Sequence, residues 1–344
     1  MKVEVKDMKI YSKLDMMVRA SGVSGRESAI ASKAAEMIAP FVDEVSTDVM
    51  GNVIALRRAR VTEDKGASIM LCAHMDEIGF LVTFIEDSGY IRVSAIGGIH
   101  TGAAAYTEVV SDKGVRGVIS VSESKKKGEE IKVEDLYIDI GAKNKKEAER
   151  KVSIGDWFVL EPGVRRLMGK RVCGRPLDDR IGCAVMVEIA ELLADFDNKG
   201  DIYYVFSVQE EVGCRGAMPA AFGIAPEYSL CFDVTGTGDA MGAEPMACSV
   251  GGGAAVKIKD RSVICNEQVV KALCEIAERE GIKHQKEILT YGGTDTSVMQ
   301  LAGRGSRAGA ISIPTRNIHS GVELCDMGDA EACAELAAAF VKSL

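Results

Sequence analysis

Five apolar segments of this 344-residue chain each run into an acid or an imidazole: LCAHMDEIGF from Leu71, RPLDDRIG from Arg175, FSVQEEVG from Phe206, LCFDVTG from Leu230 and ISIPTRNIHSG from Ile311. Short apolar runs bounded by turn formers read as buried strands. In α/β folds the functional crevice lies outside the carboxyl ends of such strands. The five segments therefore point their polar ends toward one sheet edge. A lone His-x-Asp or Glu-Glu pair carries little weight, because adjacent acids usually mark a solvated strand end. Five together carry much more, and two of the chain's four histidines, His74 and His319, stand among them.

The rest of the pattern supports an α/β chain interrupted by a β-rich stretch. Helical periodicity covers Ile10 to Ala20 and Glu27 to Ile38, ended by Pro40, and Met50-Gly51-Asn52 reads as a hairpin turn between short strands. A strand from Ser68 to Ala73 delivers His74 and Asp76. Between Phe80 and Leu160 the alternating segments FLVTF, YIRVSAI, TEVVSD, GVISV, DLYIDI and DWFVL recur with glycine-containing turns and almost no helical pattern. After Pro176 the chain alternates again: helix Arg180 to Ala194, strand Tyr203 to Gln209, strand Tyr228 to Asp233, helix Asn266 to Arg279, strand Ala308 to Ile313 and a closing helix Ala330 to Leu344. This predicts a mixed, mostly parallel sheet flanked by helices, formed by residues 1–78 and 166–344, with residues 79–165 as an inserted small β-rich domain.

Composition narrows the function classes. A hydrophobic content of 47% in a chain this long supports a substantial core, and a formal charge of -9 disfavours phosphate-rich partners. Nucleic acid and anionic membranes are not expected partners. The charged opening MKVEVKDMKIYSKLDMM lacks the apolar run of a secretory signal, which predicts a cytoplasmic protein. The longest uncharged stretch, Val93 to Thr107, is too short to span a bilayer and is interrupted by Gly97, Gly98 and Gly102. Ten cysteines lie scattered without a C-x-x-C pair, so they read as reduced, buried small hydrophobes. Lys125-Lys126-Lys127 reads as a solvated loop. His100 and His284 read as ordinary surface or interface histidines.

The residue types at the five strand ends suit divalent cations. Two cations roughly 3.5 to 4 Å apart need a bridging carboxylate, terminal imidazole or carboxylate donors, and a separate acid to take a proton from water. His74, Asp178, Glu211, Asp233 and His319 supply five ligands, and Glu210 remains for proton transfer. This donor set suits zinc, cobalt or manganese.

At these residues the chain resembles the M42 family of metallo-aminopeptidases, the group with glutamyl aminopeptidases, tetrahedral TET particles and proteins once labelled endoglucanase M. HMDEIGF, LDDRIG, QEEVGCRGA, GGTDTSVMQ and IPTRNIHS stand in the family's order, with YIDIGAKNKKEA and SIGD in the inserted stretch, and the likeness covers nearly the whole chain. The resemblance implies that His74 and Asp233 hold one metal and Glu211 and His319 the other. Asp178 would bridge them, ahead of Asp179, because related two-metal peptidases place the bridging acid before an often cis peptide and a nearby glycine, here Gly182. Glu210 would be the general base and Asp76 the residue orienting His74. The inserted stretch would be a dimerisation domain, building toward a homo-oligomer of up to twelve subunits, and the substrates would be short peptides with a free N-terminus. Gly292-Gly293-Thr294-Asp295 matches a turn that either faces substrate or caps a helix through Thr294 or Asp295. Arg316 and Asn317 fall where the pocket should be lined, though the family usually has an aromatic at the Asn317 position.

Three other readings compete. Similar ligand sets serve two-metal carboxypeptidases and deacylases, which do not require a free amine. A glycosidase would use Glu210 and Glu211, but neighbours on one strand point to opposite faces and cannot flank a sugar in the usual way. A non-catalytic assembly protein would need a vestigial site, whereas every ligand position is filled here.

Overall fold

The computed structural model describes residues 9–344 except residues 62, 64 and 127. The first eight residues of the charged opening and Lys127 of the lysine run lie outside the described residues; Lys125 is ion-paired with Asp135 at 2.8 Å. Two helices, Lys9–Val18 and Ser28–Ile38, open the chain. Strands β1 (Glu44–Thr47) and β2 (Val53–Arg57) follow as an antiparallel hairpin around Met50-Gly51-Asn52, and β3 (Ile69–His74) ends on His74 itself.

Six strands come next: β4 (Gly79–Ile85), β5 (Ile91–Ile96), β6 (Glu108–Ser111), β7 (Arg116–Val121), β8 (Leu136–Asp139) and β9 (Trp157–Leu160). They are the six alternating segments of the sequence, and they close into a barrel in the order β4-β5-β8-β7-β6-β9. Their inward residues, among them Phe80, Ile91, Val109, Ile119, Ile138 and Phe158, form a core of their own. Closure leaves no free strand edge, which lets so short a β-rich stretch persist beside a larger sheet.

The remaining strands are β10 (Gly163–Arg166), β11 (Arg171–Arg175), β12 (Ile202–Ser207), β13 (Tyr228–Thr235), β14 (Ala254–Lys259), β15 (His284–Ile288), β16 (Arg307–Arg316) and β17 (Glu323–Asp326). With β1 to β3 they make an eleven-stranded sheet in the order β1-β2-β12-β3-β13-β16-β17-β11-β10, with β14 joined to β16 and β15 to β14. The expectation of a mostly parallel sheet needs correction. Parallel pairing links β12 to β3, β3 to β13, β13 to β16 and β14 to β15. The other six pairings are antiparallel. The reason is local: hairpins such as β1–β2 and β10–β11 join neighbours through short turns, and a short turn permits only antiparallel pairing.

The parallel centre is covered on both faces, which explains its near-continuous apolar sequence. Leu71 and Ala73 of β3 face a core shared with the helix Arg180–Leu192 and the closing helix Met327–Lys342. Met70 and Cys72 face the opposite core with Ala217, Ala221 and Met299. The helix Arg180–Leu192 is buried from Arg180 to Ala190, so it is covered on every side rather than along one stripe, with only Arg180 and Glu188 charged among those residues. All ten cysteines are free thiols, as their scattered spacing predicted. No helix among the described residues is long and apolar enough to cross a membrane.

Candidate metal centre

The carboxyl ends of β3, β12, β13 and β16 lie together because these four strands are parallel neighbours, and β11 reaches the same edge through β17. This edge collects all seven predicted site residues. His74 is the last residue of β3, and Asp233 lies near the end of β13. Asp178 follows β11 beyond the cis Arg175-Pro176 bond, and a second cis bond joins it to Asp179. Glu210 and Glu211 lie beyond the end of β12 in a turn, not on the strand as expected, so the strand-face argument against a glycosidase loses its basis. His319 sits three residues past β16 in a left-handed backbone conformation, with φ 62.

Asp178 stands between the two imidazoles. Its Oδ1 is 3.0 Å from His74 Nε2 and its Oδ2 is 3.3 Å from His319 Nε2. His74 Nε2 is also 3.8 Å from Asp233 Oδ1, and His319 Nε2 is 3.0 Å from Glu211 Oε2. The donor atoms thus form two groups, His74–Asp178–Asp233 and Asp178–Glu211–His319, each with its atoms within 4.8 Å of one another. Asp178 belongs to both. Asp179 instead turns its Oδ1 to accept the Gly182 N–H at 3.0 Å, capping the helix that begins at Arg180.

A second layer fixes these side chains. Asp76 is fully buried and accepts the Ser24 hydroxyl at 2.6 Å and the backbone N–H groups of Glu210 at 3.0 Å and Glu211 at 3.3 Å. His74 Nδ1–H donates to the Asp76 carbonyl oxygen at 3.2 Å, which leaves Nε2 facing the carboxylates. Sequence reasoning found Asp76 but missed Ser24 and Glu323. Glu323 Oε2 accepts the N–H of Leu177 at 2.6 Å and of Asp178 at 3.2 Å, while its Oε1 accepts the His319 N–H at 3.1 Å. One carboxylate therefore anchors both the Asp178 turn and the His319 turn. Buried Arg180 donates to the carbonyl of Met75 at 2.8 Å and so holds the chain just past His74. None of the three carries a spacing signal: Ser24 meets the Asp76 side chain 52 residues on, and Glu323 and Arg180 act mainly on backbone groups more than a hundred residues away.

The electrostatics call for positive charge. Burial pushes the carboxyls of Asp233, Glu210 and Glu211 upward, and neighbouring carboxylates add to the effect. Burial works against charge on His74, yet hydrogen bonds to Asp178 and Asp76 raise it well above its usual value. The same balance, with Asp178 and Glu211 as partners, lifts His319 to about 11. For Asp178 burial is likewise outweighed by the His319 and His74 hydrogen bonds, which hold it below the usual carboxylate range. Glu211 Oε1 is buried with no hydrogen-bond partner among the described residues. A dense carboxylate set with two oriented imidazoles and an orphaned oxygen fits divalent cations, which neutralise charge that imidazoles alone would have to carry as imidazolium.

The centre opens into a cavity of about 710 Å³. Its lining includes Lys257, Leu289, Tyr291, Arg316 and Asn317, so the last residue of β16 and the one after it line the pocket as expected. The inserted stretch packs close: a Cβ added at Gly98 would lie 3.2 Å from His319 Nδ1. In the GGTD segment, Asp295 makes no side-chain cap to the short helix after it; its Oδ2 accepts the Ser207 hydroxyl at 2.5 Å under the site. His100 caps a one-turn helix by accepting the Ala103 N–H at 3.2 Å, and His284 begins β15, so neither joins the donor groups.

Comparison with known proteins agrees with this geometry. The family model described as M42 glutamyl aminopeptidase matches residues 51–336. A putative aminopeptidase of Acetivibrio thermocellus is 44% identical over 308 residues, covering 90% of this chain and 91% of that protein. An aminopeptidase from the archaeon Desulfurococcus kamchatkensis superposes with a TM-score of 0.93 at 34% identity, over 98% of this chain and 96% of its own. The TET1 peptidase of Pyrococcus horikoshii, which can assemble into a tetrahedron or a large octahedral shell, superposes with a TM-score of 0.85 at 33% identity, over 97% and 100% of the two chains. The chain belongs to the M42 family of metal-dependent aminopeptidases, hydrolases acting on peptide bonds.

Proposed function

We propose that this protein removes the N-terminal residue of short peptides at a centre for two divalent cations. His74 and Asp233 hold one cation, Glu211 and His319 the other, and Asp178 lies between them. The observation that carries this reading is the membership of Asp178 in both donor groups, one oxygen toward each imidazole. Zinc, cobalt or manganese at these donors would supply Lewis acidity and a water of lowered pKa.

The chain's own residues then have distinct tasks. Glu210 lines the cavity and accepts a proton from the attacking water, then returns it to the leaving amine. Burial raises its carboxyl above the ordinary range, so it holds a proton more readily once the water has given one up. Asp76 keeps the His74 ring and the Glu210 turn in register. The carboxylate-rich mouth favours a substrate amino group, which restricts cleavage to the free N-terminal end.

The barrel, within residues 79–165, serves as a pairing domain, and the remainder, 1–78 with 166–344, as the catalytic domain. The paired copies would build toward a closed particle of up to twelve, as the TET1 peptidase has been solved as a dodecamer and can assemble into a tetrahedron. The site of action is the cytoplasm. The test of function is release of the N-terminal residue from matched free and N-acetylated peptides, after metal removal and after restoring cobalt or zinc. Metal-dependent cleavage of the free peptides alone supports the proposal; equal cleavage of the acetylated ones indicates a deacylase.

A further inference from the structure

A third group of donors lies beside the first two. Ligand atoms of Glu210, Cys214 and Asp295 all lie within 4.8 Å of one another, and the Cys214 thiol donates to Glu210 Oε1 at 3.3 Å. The local chain explains the approach. Both Gly213 and Cys214 turn their N–H groups back to the Glu210 carbonyl, at 2.8 and 2.9 Å, and Cys214 takes a left-handed conformation with φ 52. This tight turn returns the thiol to the carboxylate four residues earlier.

Asp295 is the independent observation. It is 1% exposed; its Oδ2 is occupied by the Ser207 hydroxyl and the Cys72 thiol, while its Oδ1 has no hydrogen-bond partner among the described residues. A buried carboxylate oxygen left unpaired is costly, and a cation would satisfy it. Charge leaves room for one. Asp76, Asp178, Asp179, Glu210, Glu211, Asp233 and Asp295 bring seven carboxyl groups to this edge, more acids than two divalent cations can offset. Glu210 and Cys214 line the cavity, so an ion can reach them from solvent. Neither of the other two donor groups contains a sulfur.

We propose that Glu210, Cys214 and Asp295 bind a third, thiol-seeking divalent cation such as zinc or cobalt, and that this cation inhibits turnover. On binding, the Cys214 S–H bond breaks, its proton passes to solvent, and sulfur bonds to the cation without any change of oxidation state. Glu210, with its charge drawn to the cation, is then a weaker base and takes a proton from water less readily. The site rests on geometry alone, whereas its inhibitory effect rests on Glu210 acting as the base.

Cobalt(II) titration of the metal-stripped full-length protein separates the two claims. Imidazole and carboxylate ligands give no near-ultraviolet thiolate-to-cobalt band, so such a band reports Cys214. The expected result is a band that rises only after two equivalents are bound, together with loss of turnover. Cys214→Ala and Cys214→Ser should both lose the band and the third equivalent while still binding the first two. Saturation at two equivalents without a band, or a band that survives in both variants, overturns the site. A band that rises with turnover intact overturns the inhibitory role and, with it, Glu210 as the base.

Discussion

Asp76 and Glu210 are joined directly: Asp76 Oδ1 accepts the Glu210 backbone N–H at 3.0 Å. The residue that orients His74 therefore also sets the turn that presents the proposed base. Two functional groups, one at the end of β3 and one in the turn after β12, share one buried anchor, which couples their positions.

Asp76→Asn tests this coupling. The amide keeps the shape but presents hydrogens to donors that need an acceptor. Metal affinity and kcat/KM should both fall by about 10–100-fold, as for other partners of metal-bound histidines. Metal titration beside steady-state kinetics measures both, and unchanged affinity would remove Asp76 from this role.

Glu210→Gln should separate binding from chemistry. The variant should retain its metal content while kcat falls by roughly 10²–10⁴-fold, the usual contribution of a positioned general base. Substantial remaining turnover would assign proton transfer elsewhere.

Glu323→Gln probes the anchor shared by Asp178 and His319. Burial, then the charge of Asp178, pushes Glu323 up to about 7, yet three backbone N–H groups converge on its two oxygens. Replacing one acceptor oxygen by an amine should cost roughly 1–3 kcal/mol in unfolding free energy. It should also weaken metal binding, because both turns move. Lowered stability with metal affinity unchanged would make Glu323 a purely structural residue.

The pH dependence of stability should carry a contribution from Asp329, remote from the metal centre. Burial pushes this carboxyl up to about 6 from its ordinary 3.8, against backbone hydrogen bonds from Gly251 and Gly253. Between those two values the folded chain binds more protons than the unfolded one, so this group makes stability fall as pH rises through the window. Above about 6 the loss is complete. Urea unfolding at a series of pH values should show a smaller decline across this window in Asp329→Asn than in the parent, and parallel profiles would refute the assignment.

Much of this arrangement is legible in the sequence because strand ends and chemistry coincide. His74, Asp178, Asp233 and His319 each follow an apolar run, and a parallel sheet gathers such ends by construction. The six barrel strands are legible for a similar reason, since alternation with glycine turns marks each one. The sheet's antiparallel margins are not, because β10, β11 and β17 are short and their pairing depends on partners distant in the chain. Ser24 and Glu323 escape because the completed fold brings Asp76 to one and the Leu177 and Asp178 N–H groups to the other, and Cys214 escapes because a local turn, not a strand or helix period, returns it to Glu210. The Glu210–Glu211 pair shows the limit of periodicity, since the strand stops at Ser207 and a turn decides where each carboxylate points.

The central claim is that two cations share Asp178, and counting tightly bound ions per chain tests it most directly. After stripping, reloading with limiting zinc or cobalt and removing loosely held ions, elemental analysis should find two ions in the parent, one in Asp233→Ala, and no tightly held pair in Asp178→Ala. A parent that holds one ion, or an Asp178→Ala variant that keeps both, would contradict the account.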